Sequence, residues 1–132
     1  LPVLREGPSL LFIVNRTADK AVALAARFAH YGPVRGGGYE ALAGRAFDLV
    51  INATSSGLSD ELPPLPEAVF APGALAYDMM YGKETPFMAF ARARGARAAD
   101  GLGMLVEQAA EAFYLWRGVR PETAPVIASL RK

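Results

Sequence analysis

The residues best suited to chemistry follow the hydrophobic runs of the sequence. Asn15-Arg16-Thr17 ends the first run, and Lys20 lies about one helical turn further on. A guanidinium can pair with a phosphate through two hydrogen bonds, and the start of a helix favours an anion. In dinucleotide-binding folds an acidic residue at this place holds the ribose hydroxyls of NAD, whereas an arginine accommodates a 2′-phosphate. The segment therefore predicts a site for the phosphorylated ribose of NADP, with an ordinary exposed Arg16 as the alternative.

Three further segments follow hydrophobic runs in the same way. They are residues 52–57, Met79-Met80-Tyr81 and residues 100–104. Because ligands of open parallel sheets bind beyond the carboxyl ends of the strands, we expect all four segments to line one edge. Gly101 would let a flat ring approach the backbone, and Gln108 offers both a donor and an acceptor. For any single segment, ordinary turn residues remain the alternative.

Composition excludes several classes of protein and of site. The chain has 132 residues, a net charge of +1 and no cysteine, and 52% of its residues are hydrophobic. The charge balance argues against a nucleic-acid or membrane-surface protein, and no apolar run approaches the ~20 residues of a membrane span. His30 is the only histidine, and no Ser–His–Asp set or metal-ligand cluster stands out. We therefore expect no metal, no nucleic acid and no membrane among its ligands and partners.

Alternating strands and helices are expected to position these segments. The hydrophobic pattern predicts strands at 9–14, 34–35, 47–52, 75–78 and 96–99, and helices at 18–30, 86–94, 102–117 and 121–130. Runs that are apolar on both faces are typical of parallel strands buried between helices. The prediction is an α/β protein with a Rossmann-type doubly wound parallel sheet, formed by residues 1–132 as one domain.

One part of a dinucleotide-binding fold has no counterpart in the sequence. Gly36-Gly37-Gly38 does not join a buried strand to a long helix, so it cannot replace the glycine-rich phosphate loop and is expected to form a flexible loop. We therefore expect that the first strand of the fold and its glycine-rich loop are missing from this sequence.

The motifs together resemble a known family. They appear in this order: Asn15-Arg16-Thr17, residues 51–57, residues 77–81, Thr85-Pro86-Phe87 and residues 100–109. The chain resembles the C-terminal, NADP-binding domain of shikimate dehydrogenase over nearly its whole length. The resemblance implies a cytoplasmic oxidoreductase of aromatic amino-acid biosynthesis that reversibly reduces 3-dehydroshikimate to shikimate with NADPH.

The resemblance also assigns roles to individual residues. The cofactor-binding residues would be Asn15, Arg16, Thr17 and Lys20 at the 2′-phosphate, and Thr54, Met79 and Gly101 around the nicotinamide half. Tyr81 and Gln108 would reach the shikimate or 3-dehydroshikimate substrate. The catalytic Lys–Asp pair of the family belongs to an N-terminal substrate domain that is absent here, so the chain alone is predicted to be inactive and to hold no catalytic residue. A quinate/shikimate dehydrogenase-like paralogue and a non-catalytic NADP(H)-binding module remain alternatives.

Overall fold

The chain forms two compact units, each with its own parallel sheet. The computed structural model describes residues 1–54 and 61–131. The first unit comprises Leu1–Ala46 and Pro64–Val69, and the second comprises the other described residues. Whether residues 1–132 act as a single NADP-binding domain stays a prediction.

The first unit is a two-stranded parallel sheet covered by one main helix. Its elements are α1 (Pro2–Arg5), β1 (Leu11–Val14), α2 (Ala18–Phe28), a 3₁₀ turn (Ala29–Tyr31), β2 (Val34–Gly37) and a second 3₁₀ turn (Tyr39–Leu42). The strands are in register from Leu11 opposite Val34 to Val14 opposite Gly37. Helix α2 buries Ala21 and Ala25, whose small side chains allow a helix to lie close to a sheet.

The glycine run was wrongly predicted to be a loop, because two of its residues belong to β2. Gly36 and Gly37 pair with Ile13 and Val14 of β1. A Cβ on Gly36 would overlap the backbone carbonyl of Ala21 in α2. Glycine is therefore required here by the close approach of helix and strand, a reason that the sequence alone does not reveal.

The second unit is a three-stranded parallel sheet with three helices. Its elements are β3 (Phe47–Asn52), β4 (Phe70–Asp78), α3 (Pro86–Ala93), β5 (Arg97–Ala99), α4 (Leu102–Arg117) and α5 (Ala124–Leu130). The strand order is β3-β4-β5. Ala74 and Ala76 of β4 are buried together with Phe87, Met88 and Ala91 of α3, so this helix and the central strand form the core. Among the described residues, no helix is long and apolar enough to cross a bilayer.

Local signals explain where two of these helices begin. Thr85 caps α3 by accepting a hydrogen bond from the Met88 amide, and Pro86 occupies the first turn, as the sequence predicted. Helix α5 begins at Ala124 instead of Pro121. The Thr123 hydroxyl donates to Glu107 of α4 at 2.6 Å, and this bond holds the end of the preceding segment against α4.

Parallel strands alternating with helices confirm the predicted α/β class, but the strands are less buried than expected. In the described part of the chain, β1 pairs only with β2, and β3 pairs only with β4. Leu49 and Ile51 of β3 are 47% and 42% exposed, and all of β1 is half-buried. Both strands are edges of their sheets, which explains their exposure.

Candidate functional site

In the first unit, two positively charged side chains lie beyond the carboxyl end of β1. The Asn15 amide donates to the Gly37 carbonyl at 3.2 Å, so the β1–β2 ladder extends to this residue. The Asn15 side chain then accepts the Thr17 amide at 2.8 Å and turns the chain into α2. Arg16 and Lys20 are exposed on this turn. A neutral side chain therefore shapes the turn, and positive charge is presented to solvent beside it.

Tyr39 is a further residue at this edge that was not predicted from the sequence. It comes two residues after β2, as Arg16 comes two residues after β1. Burial raises the pKa of the Tyr39 hydroxyl above its ordinary value, while the nearby Arg16 guanidinium acts in the opposite direction. The phenol and the guanidinium therefore share this edge of the first unit. The matching positions after paired parallel strands are the signal that could have found Tyr39.

In the second unit, backbone hydrogen bonds join the carboxyl ends of all three strands. The Met79 amide donates to the Asn52 carbonyl at 3.1 Å, and the Gly101 amide donates to the Met80 carbonyl at 2.8 Å. These bonds connect the segments that carry Thr54, Met79 and Gly101, three of the four segments predicted to line one edge. The fourth, residues 15–17, follows β1 and so belongs to the separate sheet of the first unit. Ser55, Ser56 and Gly57 of the predicted segment lie outside the described residues.

The two glycines at the start of α4 have different surroundings. A Cβ on Gly101 would overlap the Met79 carbonyl, whereas a Cβ on Gly103 would meet nothing within 4 Å. The backbone of the loop that follows β4 therefore lies directly against Gly101. Asp100 accepts the Leu102 amide at 3.4 Å, a long bond that closes the turn into α4.

Tyr81 and Gln108 are both accessible, but they are placed differently. Tyr81 is 49% exposed and lines a groove of about 790 Å³ with Met88 of α3 and Leu105 of α4. Gln108 is exposed on α4, about one turn beyond Leu105, and is not among the residues that line this groove. Gln108 therefore lies outside the groove that Tyr81 lines, and its contact with the substrate stays a prediction.

A buried polar cluster lies under the same edge and was not predicted from the sequence. Asn52, Asp78 and Thr85 are 4%, 0% and 1% exposed and are the buried polar side chains of the described residues. Asp78 accepts the Thr85 hydroxyl at 2.6 Å and the Asn52 side-chain amide at 3.2 Å. The available signal was that Asn52 and Asp78 end neighbouring strands; their registered pairing became visible only in the structure.

The described residues offer no metal site. No group of three or more His, Cys, Asp or Glu side chains is arranged to hold a metal ion in residues 1–54 and 61–131. His30 instead lies against the Tyr31 ring, with 3.9 Å between ring centroids, which fits a packing role.

Comparisons with known proteins find similarity to shikimate dehydrogenases. The family model described as shikimate 5′-dehydrogenase C-terminal domain matches residues 101–131. A protein of Dechloromonas aromatica named shikimate dehydrogenase (NADP(+)) is 64% identical over 132 residues, covering 98% of this chain and 48% of that protein. This chain therefore spans about half the length of that relative.

Solved structures show the same correspondence. An Ael1 enzyme from Pseudomonas putida is 55% identical with a TM-score of 0.91, over 98% of this chain and 48% of that one. Shikimate 5-dehydrogenase from Thermus thermophilus, in complex with NADP(H) and shikimate, is 30% identical with a TM-score of 0.73, over 96% and 47%. These neighbours confirm the predicted Rossmann-like fold. The resemblance inferred from the motifs is thus confirmed: over nearly all of its length, this chain is similar to the C-terminal part of shikimate dehydrogenases.

Proposed function

We propose that this chain is the NADP(H)-binding part of an enzyme that reversibly reduces 3-dehydroshikimate to shikimate. The observation that carries the proposal is the turn after β1, where exposed Arg16 and Lys20 follow the neutral Asn15 that closes the turn. The 64% identity to a protein named shikimate dehydrogenase (NADP(+)) supports the choice of reaction and cofactor. A cytoplasmic location belongs to the same proposal.

The residues at the first unit's edge fit a phosphorylated ribose. Residues 15–17 contain no carboxylate that would hold ribose hydroxyls and repel a 2′-phosphate. Arg16 would pair with the phosphate through charge-assisted hydrogen bonds, and Lys20 would add a weaker attraction that salt screens. Asn15 and Thr17 would keep the turn in place through their own hydrogen bond.

The edge of the second unit would hold the nicotinamide half. Thr54, Met79 and Gly101 belong to three segments that backbone hydrogen bonds join there. When bound, NADPH would supply a hydride to the substrate ketone. The role proposed for these residues is to orient the cofactor, and Gly101 contributes by letting the β4 loop lie against the start of α4.

A substrate domain would complete the active site and contribute the catalytic Lys–Asp pair. The surface of helix α4 favours the presence of such a partner, because the last two turns of this helix expose Leu115 and Trp116, which are 74% and 79% accessible. An exposed aromatic and aliphatic surface of this kind typically packs against another protein surface. Tyr81 and Gln108 would contact the substrate held by that domain.

Turnover in the complete protein tests the proposal. We expect 3-dehydroshikimate reduction with NADPH, and faster oxidation of shikimate than of quinate. Preference for quinate would favour the quinate/shikimate dehydrogenase-like alternative. NADPH binding without turnover of either compound would favour a non-catalytic module.

Gln108→Ala tests the assignment on the substrate side. Removing a polar partner of the substrate should cost about 1–3 kcal/mol in kcat/KM for 3-dehydroshikimate, with little change in NADPH affinity. Arg117→Ala, at an exposed site in the last turn of the same helix, is the matched control. A Gln108→Ala protein that loses NADPH affinity and keeps its substrate KM would contradict the placement of this helix face.

A further inference from the structure

Asp78 lies where three segments of the second unit meet, and it accepts a hydrogen bond from each. One oxygen, Oδ2, accepts the Asn52 side-chain amide from the end of β3 and the Thr85 hydroxyl from the cap of α3. The other, Oδ1, accepts the Met80 backbone amide at 3.0 Å from the loop after β4. The carboxylate is completely buried, so each of these bonds replaces one that water would otherwise make.

The contacts reach the proposed nicotinamide site in two directions. Asn52, held by Asp78, accepts the Thr54 amide at 3.2 Å and the Thr54 hydroxyl at 2.7 Å through its Oδ1. Met79 is fixed on both sides, because its own amide donates to the Asn52 carbonyl and the next amide donates to Asp78. A single carboxylate thus orients the loops that carry Thr54 and Met79.

We propose that Asp78 is a positioning residue that sets the geometry of the nicotinamide end of the cofactor site. The inference rests on the proposed function, since it assumes that Thr54 and Met79 border the cofactor. Asp78 acts through Asn52 and the Met80 amide, with no contact of its own to the reacting atoms. Its effect is therefore confined to the second unit, and the phosphate-binding turn at Arg16 is independent of it.

Asparagine cannot take over this role, although it has nearly the same shape. Its side chain has one acceptor oxygen and one NH₂ group that only donates. With the NH₂ at the Oδ1 position, it would face the Met80 amide, which is a fixed donor. With the NH₂ at the Oδ2 position, it would face the Asn52 amide, another donor. Either orientation places two donors together in a buried site.

Exchanging the two side chains should restore most of the contacts. In the Asn52→Asp, Asp78→Asn double variant, one oxygen at position 52 still accepts from Thr54 and the other accepts from the new amide at position 78. The side-chain oxygen at position 78 still accepts from the Met80 amide, and the second hydrogen of the new NH₂ group faces the Thr85 hydroxyl oxygen. Partial rescue by this exchange would show that the hydrogen-bond pattern of the pair holds the loops; a stability control separates this role from general stability.

The test compares Asp78→Asn, the double variant and Phe87→Leu in the complete protein. Phe87 is 1% exposed in the same core and makes no polar contact with the loops through its side chain, so Phe87→Leu is a control for lost stability. We expect Asp78→Asn to weaken NADPH binding and to lower kcat by about 10- to 100-fold, the range for lost hydrogen bonds to a charged group. The affinity for adenosine 2′,5′-bisphosphate, which probes only the Arg16 end, should change less than about twofold. The double variant should recover part of the loss, and Phe87→Leu should lower Tm with unchanged NADPH affinity and kcat.

Amide hydrogen exchange without ligand separates this inference from the proposed function. Asp78→Asn should speed exchange at Thr54 and Met80 and leave the amides of α2 unchanged. If the wild-type protein fails to bind NADPH, the proposed function and the cofactor role of Asp78 both fall, whatever the exchange data show. If NADPH binds and Asp78→Asn behaves like Phe87→Leu in binding, kcat and exchange, the inference alone is wrong.

Discussion

The two units form their candidate binding edges in opposite ways. The first unit presents Arg16 and Lys20 to solvent on a turn closed by one local hydrogen bond. The second unit supports its edge from below, with a buried carboxylate that joins the end of β3, the loop after β4 and the cap of α3. An exposed charge selects a ligand by attraction, whereas a buried cluster selects a geometry. Changes in the first unit should therefore alter cofactor preference, and changes in the second should alter stability and cofactor orientation together.

Both units nevertheless have an unpaired strand edge, and the largest expected effect, on folding and association, comes from these edges. Within the described residues, β1 and β3 each have a strand partner on one side only, and Leu49 and Ile51 of β3 are exposed. Unpaired hydrophobic edges are templates for pairing with other chains. We predict that the 132-residue chain alone is unfolded, associates, or is completed by another segment.

Light scattering and thermal unfolding at several concentrations would check this prediction. We expect association that increases with concentration, or no cooperative transition. The Leu49→Lys, Ile51→Lys variant should reduce association, because edge lysines block strand pairing. A monomeric chain with a cooperative transition would show that the two sheets are sufficient by themselves.

The next largest expected effect is on stability, and it tests whether the second unit depends on the close packing at Gly101. Gly101→Ala places a methyl group against the Met79 carbonyl and should destabilise the protein by about 1–3 kcal/mol. Gly103→Ala, two residues away in open space, should be neutral or stabilise α4 by up to about 1 kcal/mol. Thermal unfolding of both variants measures the difference, and equal effects would mean that the close approach at Gly101 is unimportant.

A smaller effect should distinguish the charges of the first unit. Lys20 is exposed, so Lys20→Ala should weaken NADP binding by only about 0.5–1 kcal/mol, and salt should reduce that loss. Titrations at low and high ionic strength provide the measurement, with the exposed Lys83 of the second unit as the position for a matched alanine control. A loss that does not depend on salt would exclude the proposed long-range attraction.

The smallest effect concerns alkaline pH in the first unit. Because burial raises the pKa of Tyr39, the folded state disfavours its ionised form. Stability from this group is fully present below the ordinary tyrosine pKa near 10 and is lost as pH rises through the higher pKa of the folded state. Tyr39→Phe should therefore reduce the alkaline loss of stability in a pH series of denaturant titrations. Arg16→Ala should increase that loss, since the guanidinium opposes the shift; no change in either variant would argue against a shared edge.

Features with a local cause could be predicted from the sequence. Helix α4 has the predicted bounds Leu102–Arg117, and β3 has the predicted bounds Phe47–Asn52. In both cases hydrophobic periodicity and flanking turn residues are enough to define the element. The Thr85 cap of α3 was predictable for the same reason. The polar segments at the carboxyl ends of β3, β4 and β5 could also be placed on one edge, because parallel strands align their ends.

Features that depend on a distant partner could not be predicted. Gly36 belongs to β2 because α2 crosses it closely, and Asp78 is a junction because β3 and β4 pair in register. The apolar stripe of helix α4 that includes Phe113 and Trp116 suggests a core face, but both of these side chains are exposed. The helix instead buries Leu102, Val106 and Ala110. For Gly36 and Asp78 the decisive contact joins residues far apart in sequence, and no local pattern records it.

Arg16 is the residue through which the first unit is proposed to select NADP. The most direct test is to compare kcat/KM with NADPH and NADH for the wild-type protein, Arg16→Ala and Arg16→Asp. If Arg16 favours NADPH over NADH by about 2–3 kcal/mol, the wild type should prefer NADPH by roughly 30- to 150-fold. Arg16→Ala should remove most of that preference, and Arg16→Asp should reverse it by repelling the 2′-phosphate. Equal use of both cofactors by the wild type, or an Arg16→Asp protein that still prefers NADPH, would contradict the account.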